Sequence, residues 1–231
     1  MKTTIRLIVL VAVATVVSIP LKAQSENKIQ FKAGADLVSS YVWRGMYQTG
    51  VSFQPTLSAS LGGFTLGAWG STDFSTMAKE MDLFLTYSYK GLTLGVTDYW
   101  WSGQGAKYFD YKAKHYLEGT LGYSFGEKFP LSVTWNTMFA FDSDKSEQGK
   151  QMYSTYINLD YQFRVNDVNL TAGVGITPWK GIYSDKFDVM AISLKGAKEI
   201  PLTDKFSLPL FVQAIAAPAR NDFFLVVGLS F

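Results

Sequence analysis

Apolar and polar side chains alternate along this chain in stretches of about ten residues, each closed off by residues that favour turns. Val51, Phe53, Pro55, Leu57, Ala59 and Leu61 are apolar, whereas Ser52, Gln54, Thr56, Ser58 and Ser60 between them are polar. Tyr153, Thr155, Ile157, Leu159, Tyr161 and Phe163 alternate in the same way with Ser154, Tyr156, Asn158, Asp160, Gln162 and Arg164. A period of two predicts strands with one greasy side. The rule also predicts a first strand in which Phe31, Ala35, Leu37, Tyr41 and Trp43 oppose Lys32, Asp36, Ser40 and Arg44. A fourth sets Met81, Leu83, Leu85, Tyr87 and Tyr89 against Glu80, Asp82, Thr86, Ser88 and Lys90. A sixth sets Leu117, Leu121, Tyr123 and Phe125 against Glu118, Thr120 and Ser124, and a seventh sets Leu131, Val133, Trp135, Phe139 and Phe141 against Ser132, Thr134, Asn136 and Asp142. Weaker strands are predicted at 64–73, 92–101, 168–179, 187–199 and 205–217, with Asp98 and Asp188 falling on the apolar parity. The last stretch puts Phe223, Leu225, Val227, Leu229 and Phe231 on one face. About twelve strands result, pairing in order as hairpins.

The connections alternate in length. Tight ones fall at Gly62-Gly63, Lys90-Gly91, Gly126-Glu127-Lys128, Val165-Asn166-Asp167 and Leu202-Thr203-Asp204. Longer ones fall around 45–50, 74–79, 102–113, 142–150, 180–186 and 218–222, with that at 102–113 the most aromatic. Short turns at one end and long loops at the other are the pattern of a closed transmembrane barrel. Both termini then lie at the short-turn, periplasmic end. The polar faces are built from Ser, Thr, Asn, Gly and scattered charges. Tyr41 and Trp43 at one level, and Tyr87, Tyr89, Tyr161 and Phe163 at the other, suit interfacial girdles on the apolar face. The predicted fold is all-β, a closed antiparallel transmembrane barrel; the alternative is a soluble β-sandwich.

The N-terminus carries Lys2 and Arg6 ahead of the largely apolar run Leu7–Ile19, with Ala23 suited to a cleavage site. That reads as a secretory signal at 1–23 followed by the barrel at 24–231, the alternative being an uncleaved anchor helix. Losing Lys2, Arg6 and Lys22 leaves 18 of the 21 basic residues against 19 acidic ones. The basic balance therefore belongs to the signal, and no nucleic-acid partner is expected. Charged residues make up 17% of the chain, against about 25% in soluble domains. The chain has no cysteine, which removes disulfides and thiolate sites.

The stretch Ala35-Asp36-Leu37-Val38-Ser39-Ser40-Tyr41-Val42-Trp43-Arg44-Gly45-Met46, followed by Phe53-Gln54-Pro55-Thr56-Leu57, resembles the opening of the TorF-type (Gcw) porins. Gly67-Ala68-Trp69-Gly70-Ser71 and Glu80-Met81-Asp82-Leu83 extend the likeness. The final aromatic, Phe231, resembles the assembly signal of bacterial outer-membrane barrels. The resemblance implies a barrel in the outer membrane of a Gram-negative bacterium. Its partners would be outer-membrane lipids and lipopolysaccharide, the barrel assembly machinery, and small solutes diffusing passively through the lumen.

The candidate site is lumenal. Parity sends Arg44 inward near the loop end, with Asp36, Asp73, Glu80, Asp82 and Asp142 as acids of a constriction that selects solutes by sign and size. The plainer reading is a structural ion pair. Lys32, Lys90, Asp160 and Arg164 form a second, lower lumenal group. Trp69, Tyr99, Trp101, Tyr116, Tyr156 and Phe211 are candidates to fill the interior of a barrel this small. His115, the only histidine, shares the lipid-facing parity of Leu117 and Leu121. A lipid hydrolase would need a serine beside it. No phosphate loop, zinc spacing or nucleotide fingerprint is present, and no cofactor or metal is expected. The expectation is a porin with a narrow charged lumen and no enzymatic activity. The alternatives are a closed barrel that binds a partner through its loops, or a lipid hydrolase built on His115.

Overall fold

The computed structural model describes residues 28–102, 107–111, 114–203 and 206–231. The expected signal at 1–23, residues 103–106 and 112–113 of the long loop, and Asp204 of the last tight turn lie outside the described residues. The strands are β1 (Gln30–Val38), β2 (Tyr41–Trp43), β3 (Met46–Thr49), β4 (Ser52–Leu61), β5 (Phe64–Asp73), β6 (Lys79–Tyr89) and β7 (Leu92–Trp101). They continue as β8 (His115–Ser124), β9 (Leu131–Ala140), β10 (Thr155–Val165), β11 (Val168–Thr177), β12 (Asp188–Thr203), β13 (Phe206–Ala217) and β14 (Asp222–Ser230). All but β2 and β3 join one closed antiparallel barrel, each strand beside its neighbour in sequence and β14 beside β1. No helix among the described residues is long and apolar enough to cross a membrane, which says nothing of crossing by strands.

Closure leaves the barrel wall no free sheet edge, because each of its strands pairs on both sides. The seam is short: Asp36 faces Ser230, Leu37 faces Leu229 and Val38 faces Gly228. Two bonds between Ala35 and Phe231 extend it, N to O at 3.2 Å and 2.9 Å. The ladder between β4 and β5 skips Gln54 and Pro55, where proline has no N–H to donate.

The two faces of the wall differ as the alternation predicts. Leu57, Leu66, Leu85, Leu94, Leu121 and Leu225 point outward and are exposed. At the turn end an outward chain of rings runs through Tyr123, Phe125, Phe129, Tyr161 and Phe163, with successive centroids 5.0 to 6.3 Å apart. The buried residues are largely lumenal. They include Ser52, Gln54, Ser71, Glu80, Asp82, Glu118 and Asn136, beside Met138, Tyr156, Met190 and Phe211.

The expected first strand is the main departure. It leaves the wall after Ser39, whose N–H bonds the Val227 carbonyl at 2.8 Å. Beyond this point the chain builds neither wall nor outer loop but a hairpin, β2 paired with β3, folded inside the barrel. Its turn is Arg44-Gly45, with φ of 53° and 77°. Two consecutive positive φ values are what a two-residue hairpin turn requires. Tyr41 and Trp43 are therefore lumenal, not part of an outer girdle. Tyr41 packs on Trp69 at 5.5 Å, and Trp43 packs on Trp101 at 5.4 Å and Tyr99 at 5.7 Å.

Gly45 makes the insertion possible. A Cβ there would overlap the Met190 carbonyl oxygen on β12, so the hairpin tip touches the far wall through bare backbone. Gly62 has a similar φ of 58° but nothing within 4 Å of its Cβ position. Gly45→Ala should therefore lower the urea midpoint of the refolded barrel more than Gly62→Ala. The expected excess loss is about 1 kcal/mol or more, and equal midpoints would show that the tip does not seat against Met190.

Candidate functional site

The hairpin carries Arg44 to the middle of the lumen. Its guanidinium binds the Glu118 carboxylate on β8 in a two-pronged pair, Nη1 to Oε2 at 2.6 Å and Nη2 to Oε1 at 2.8 Å. Tyr99 Oη donates to the same Oε1 at 2.9 Å, and Arg44 Nη1 also donates to Tyr183 Oη. The Arg44 side chain is 11% exposed and that of Glu118 is fully buried. Planar guanidinium against planar carboxylate is the strongest arrangement such a pair can adopt. Three rings surround it, with the guanidinium carbon 4.5 Å from Trp43, 4.9 Å from Tyr156 and 5.5 Å from Tyr183. Cation–π contacts of this kind strengthen as water is excluded.

Tyr183 reaches the lumen from the loop between β11 and β12. That loop is tied down by Ser154 Oγ, which accepts from Ile182 N–H at 2.8 Å and itself donates to Asp144. Asp144 also accepts from Gln151 Nε2 at 2.7 Å. Arg220, after β13, donates to the Tyr183 carbonyl at 3.3 Å. Met138, Tyr156, Tyr183 and Met190 form a buried apolar cluster against Trp43 and Met46. The lumen around Arg44 is thus filled by hairpin, loop and wall together. Below the hairpin tip lies a cavity of about 330 Å³, bordered by Arg44, Asn158, Asp160, Ser193, Lys195 and Gln213.

The expected ring of acids around Arg44 does not form. Asp73 ends β5 and caps its own turn, accepting from Ser75 N at 2.8 Å, Ser75 Oγ at 2.9 Å and both N–H and hydroxyl of Thr76. Asp142 lies beyond β9, in a short 3₁₀ turn (Asp142–Asp144), where Lys145 reaches it. Asp36 stays on the lumenal face of β1, opposite Gln54 and Ser230. Glu80 and Asp82 are lumenal and buried, but they lie beside Tyr41, not Arg44; Tyr41 Oη donates to Glu80 Oε1 at 3.3 Å.

The lower group is dispersed as well. Lys90 sits in the tight turn after β6 with its ammonium 5.2 Å from the Tyr89 ring, which places it on the rim and not in the lumen. Arg164 donates to the Asn166 carbonyl of its own turn at 3.0 Å. Lys32 is exposed near the start of β1, and Asp160 accepts from Asn158. Each of these charges has a local partner or solvent, so nothing draws them together.

His115 faces outward, as its parity predicts, and is fully buried. The loop after β7 covers it: Tyr111 stacks on its ring at 4.2 Å, and the Tyr108 carbonyl lies 2.6 Å from Nε2. Its Nδ1 lies 2.8 Å from Asp98 Oδ1. That resolves Asp98: it remains on the outward face and is met there by the imidazole. Asp188 accepts from Ser184 Oγ at 3.1 Å. Among the described residues, no group of three or more His, Cys, Asp or Glu side chains is placed to hold a metal ion.

Residues 22–201 match the family described as "Bacterial protein of unknown function (Gcw_chp)". The chain belongs to this family. Curated proteins give no match. Among solved structures, the chain is similar to the crystal structure of BamA from Haemophilus ducreyi lacking POTRA domains 1–3, with a TM-score of 0.39 and 13% identity. That match covers 83% of this chain and 42% of the other, so this chain spans less than half the length of the structure it matches.

Three residues central to the Gcw_chp barrel's interior stand outside the sequence-derived site: Glu118, Tyr183 and Asp144. Glu118 is signalled by its place among small neighbours on a lumenal face. Tyr183 and Asp144 sit in loops, where alternation gives no direction. Leaving one partner of a buried ion pair alone costs about 3–5 kcal/mol. Glu118→Ala should therefore release the hairpin while the wall persists. Hydrogen exchange should rise at Val42, Met46 and Tyr47 and stay slow along β10 to β13. Unchanged exchange in the hairpin would mean that packing alone holds it.

Proposed function

We propose that this barrel spans the outer membrane of a Gram-negative bacterium and passes small solutes, with its loop end outward and its lumen shut at that end by hairpin β2–β3. The observation that carries the reading is the polar cavity continuing below the hairpin tip, lined by Asn158, Asp160, Ser193, Lys195 and Gln213. A barrel kept only as a scaffold has no need of an acid, a base and amides around a space of about 330 Å³, whereas a solute route does. The outward leucines support lipid as the partner of the wall. Strands of about ten residues, tilted, suit an apolar band of roughly 25 Å.

Passage in this reading requires the hairpin to move. The porin expectation is thereby narrowed from an open pore to a gated one. Arg44 acts as the latch of the gate and not as a free charge in a constriction. A closed barrel that binds a partner through its loops is the second reading, favoured by the filled lumen around Arg44. Lipid hydrolysis has no support at His115, because Asp98 and the Tyr108 carbonyl take both ring nitrogens.

Conductance in planar bilayers separates the first two. The unaltered protein should be silent or open rarely. Arg44→Ala, and replacement of residues 40–50 by a short Gly-Ser linker, should give long-lived steps, with open time rising about tenfold or more in the linker variant. A linker variant that folds, inserts and stays silent would overturn the channel reading and leave the closed barrel. The membrane reading has its own check. Leu85→Arg, on the outward face, should cost about 2–4 kcal/mol of folding free energy in bilayers. Thr86→Arg, on the lumenal face, should cost less.

A further inference from the structure

We propose that the loop end of the lumen holds a binding pocket for a small organic cation of the ammonium type, lined by Glu80 and the rings of Tyr41 and Trp101, with Asp82 and Trp69 next to them on the lumenal wall. Glu80 and Asp82 stand two residues apart on β6 and share its lumenal face. They are 5% and 6% exposed. Among the described residues neither is in an ion pair. The lumenal guanidinium of Arg44 has its fork taken by Glu118. Lys79 borders the same space but is an exposed side chain on the opposite parity of β6. Carboxylates removed from water normally find a cation, and among the described residues no basic side chain pairs with these.

Ser71 Oγ beside them has no protein hydrogen-bond partner, and the carboxyl groups of Glu80 and Asp82 lie within reach of each other. Ser71, 7% exposed, lies directly across the ladder from Glu80. Buried polar groups left open in this way are uncommon in folded proteins and call for a ligand or water. Glu80 and Ser71 border a space of about 260 Å³ that is also lined by Tyr41, Gln48, Thr49 and Trp101; Asp82 is the next residue on the same lumenal face of β6.

The walls select the kind of cation. Trp101 faces Glu80 across the ladder, and Trp69 and Tyr99 face Asp82 from either side. Tyr99 and Trp101 stack at 5.5 Å with an 8° interplanar angle, and Tyr41 meets Trp69 at 5.5 Å. Carboxylates interleaved with aromatic rings suit a cation carrying apolar substituents, which offers charge to one and C–H surface to the other. A divalent metal ion is disfavoured, because two carboxylates fall short of the oxygen set it requires. The pocket deepens the channel reading by naming a solute class, yet its occupancy is measurable without flow.

The test is ligand-observed NMR of tetramethylammonium chloride with the purified, refolded protein in detergent micelles. Its uncharged counterpart, tert-butanol, serves as control. Tetramethylammonium should bind with a Kd on the order of 1 mM, and tert-butanol about tenfold more weakly or worse. Glu80→Gln combined with Asp82→Asn should weaken tetramethylammonium about tenfold or more, while Asp142→Asn leaves it unchanged. If the double variant does not fold, by heat-dependent gel mobility, the comparison of ligands on the unaltered protein decides alone. Equal binding of both, or no binding of tetramethylammonium, overturns the proposal, and the latter is expected if the carboxylates share a proton instead. Binding retained in a barrel whose linker variant is silent would overturn the channel reading and not the pocket. Conduction without binding would do the reverse.

Discussion

A guanidinium shut away from bulk water must meet a carboxylate of matching shape, and in this barrel that requirement organises everything above the lower cavity. Arg44 stands at a hairpin tip with Gly45 beside it. It reaches Glu118 only if the chain leaves the wall after Ser39 and crosses the lumen. The pair then fixes Tyr99 and Tyr183 through their hydroxyls. Tyr183 in turn fixes the loop between β11 and β12, which Ser154 and Asp144 tie to the loop after β9. One ion pair thus links hairpin, wall and two loops that are distant in sequence. Its net worth is smaller than its necessity. Two charges taken out of water recover little beyond their desolvation cost, but either one left alone is expensive. The pair is therefore better suited to specifying one position of the hairpin than to stabilising the barrel as a whole.

The aromatic rings in the lumen answer to the same geometry. A small barrel leaves room for one layer of side chains or a narrow bore. Here the hairpin adds a second layer, and Trp43 is packed between Trp101, Tyr99 and Tyr183. Rings suit this role because they fill volume with few rotamers and still present an edge or hydroxyl to a charge. The lower lumen lacks the hairpin and is lined instead by amides, hydroxyls and charges.

Much of the wall was legible in the sequence because a period of two is forced on any strand with one face in an apolar phase. The alternation of Val51–Leu61 and of Tyr153–Arg164 locates β4 and β10 nearly to the residue, and the tight turns at Gly62-Gly63 and Lys90-Gly91 fall where expected. The same rule misled at Tyr41 and Trp43. Parity carried through Ser39 and Ser40 assumes that the strand continues, whereas the chain turns inward and resets which side is which. Arg44 was legible as a lumenal residue, and its plainer reading as a paired ion is the one that describes its contacts. Its partner was not legible, since Glu118 lies 74 positions away and only the closed sheet brings β8 opposite the hairpin. Asp142 was placed in the lumen by extending strand parity past the end of β9, where a turn, not a pleat, sets direction, whereas Asp73 closes β5 and commits its carboxylate to its own turn.

The hairpin also divides the lumen into two spaces of different charge. Below it, Lys195 and Asp160 border the same cavity, and Arg44 arrives already neutralised by Glu118. The ammonium of Lys195 lies 3.9 Å from the Phe211 ring, which sits over Gly228 where any side chain would collide with it. That lower space is close to balanced. Beside the base of the hairpin, Glu80 and Asp82 are in no ion pair among the described residues, although Arg44 is only three residues from Tyr41, which touches Glu80. The nearer acids are passed over because Arg44 extends from the far end of β2, toward β8, while Tyr41 begins the strand beside β6. The direction of one short strand therefore decides which carboxylate is neutralised by the protein and which two are left for something else.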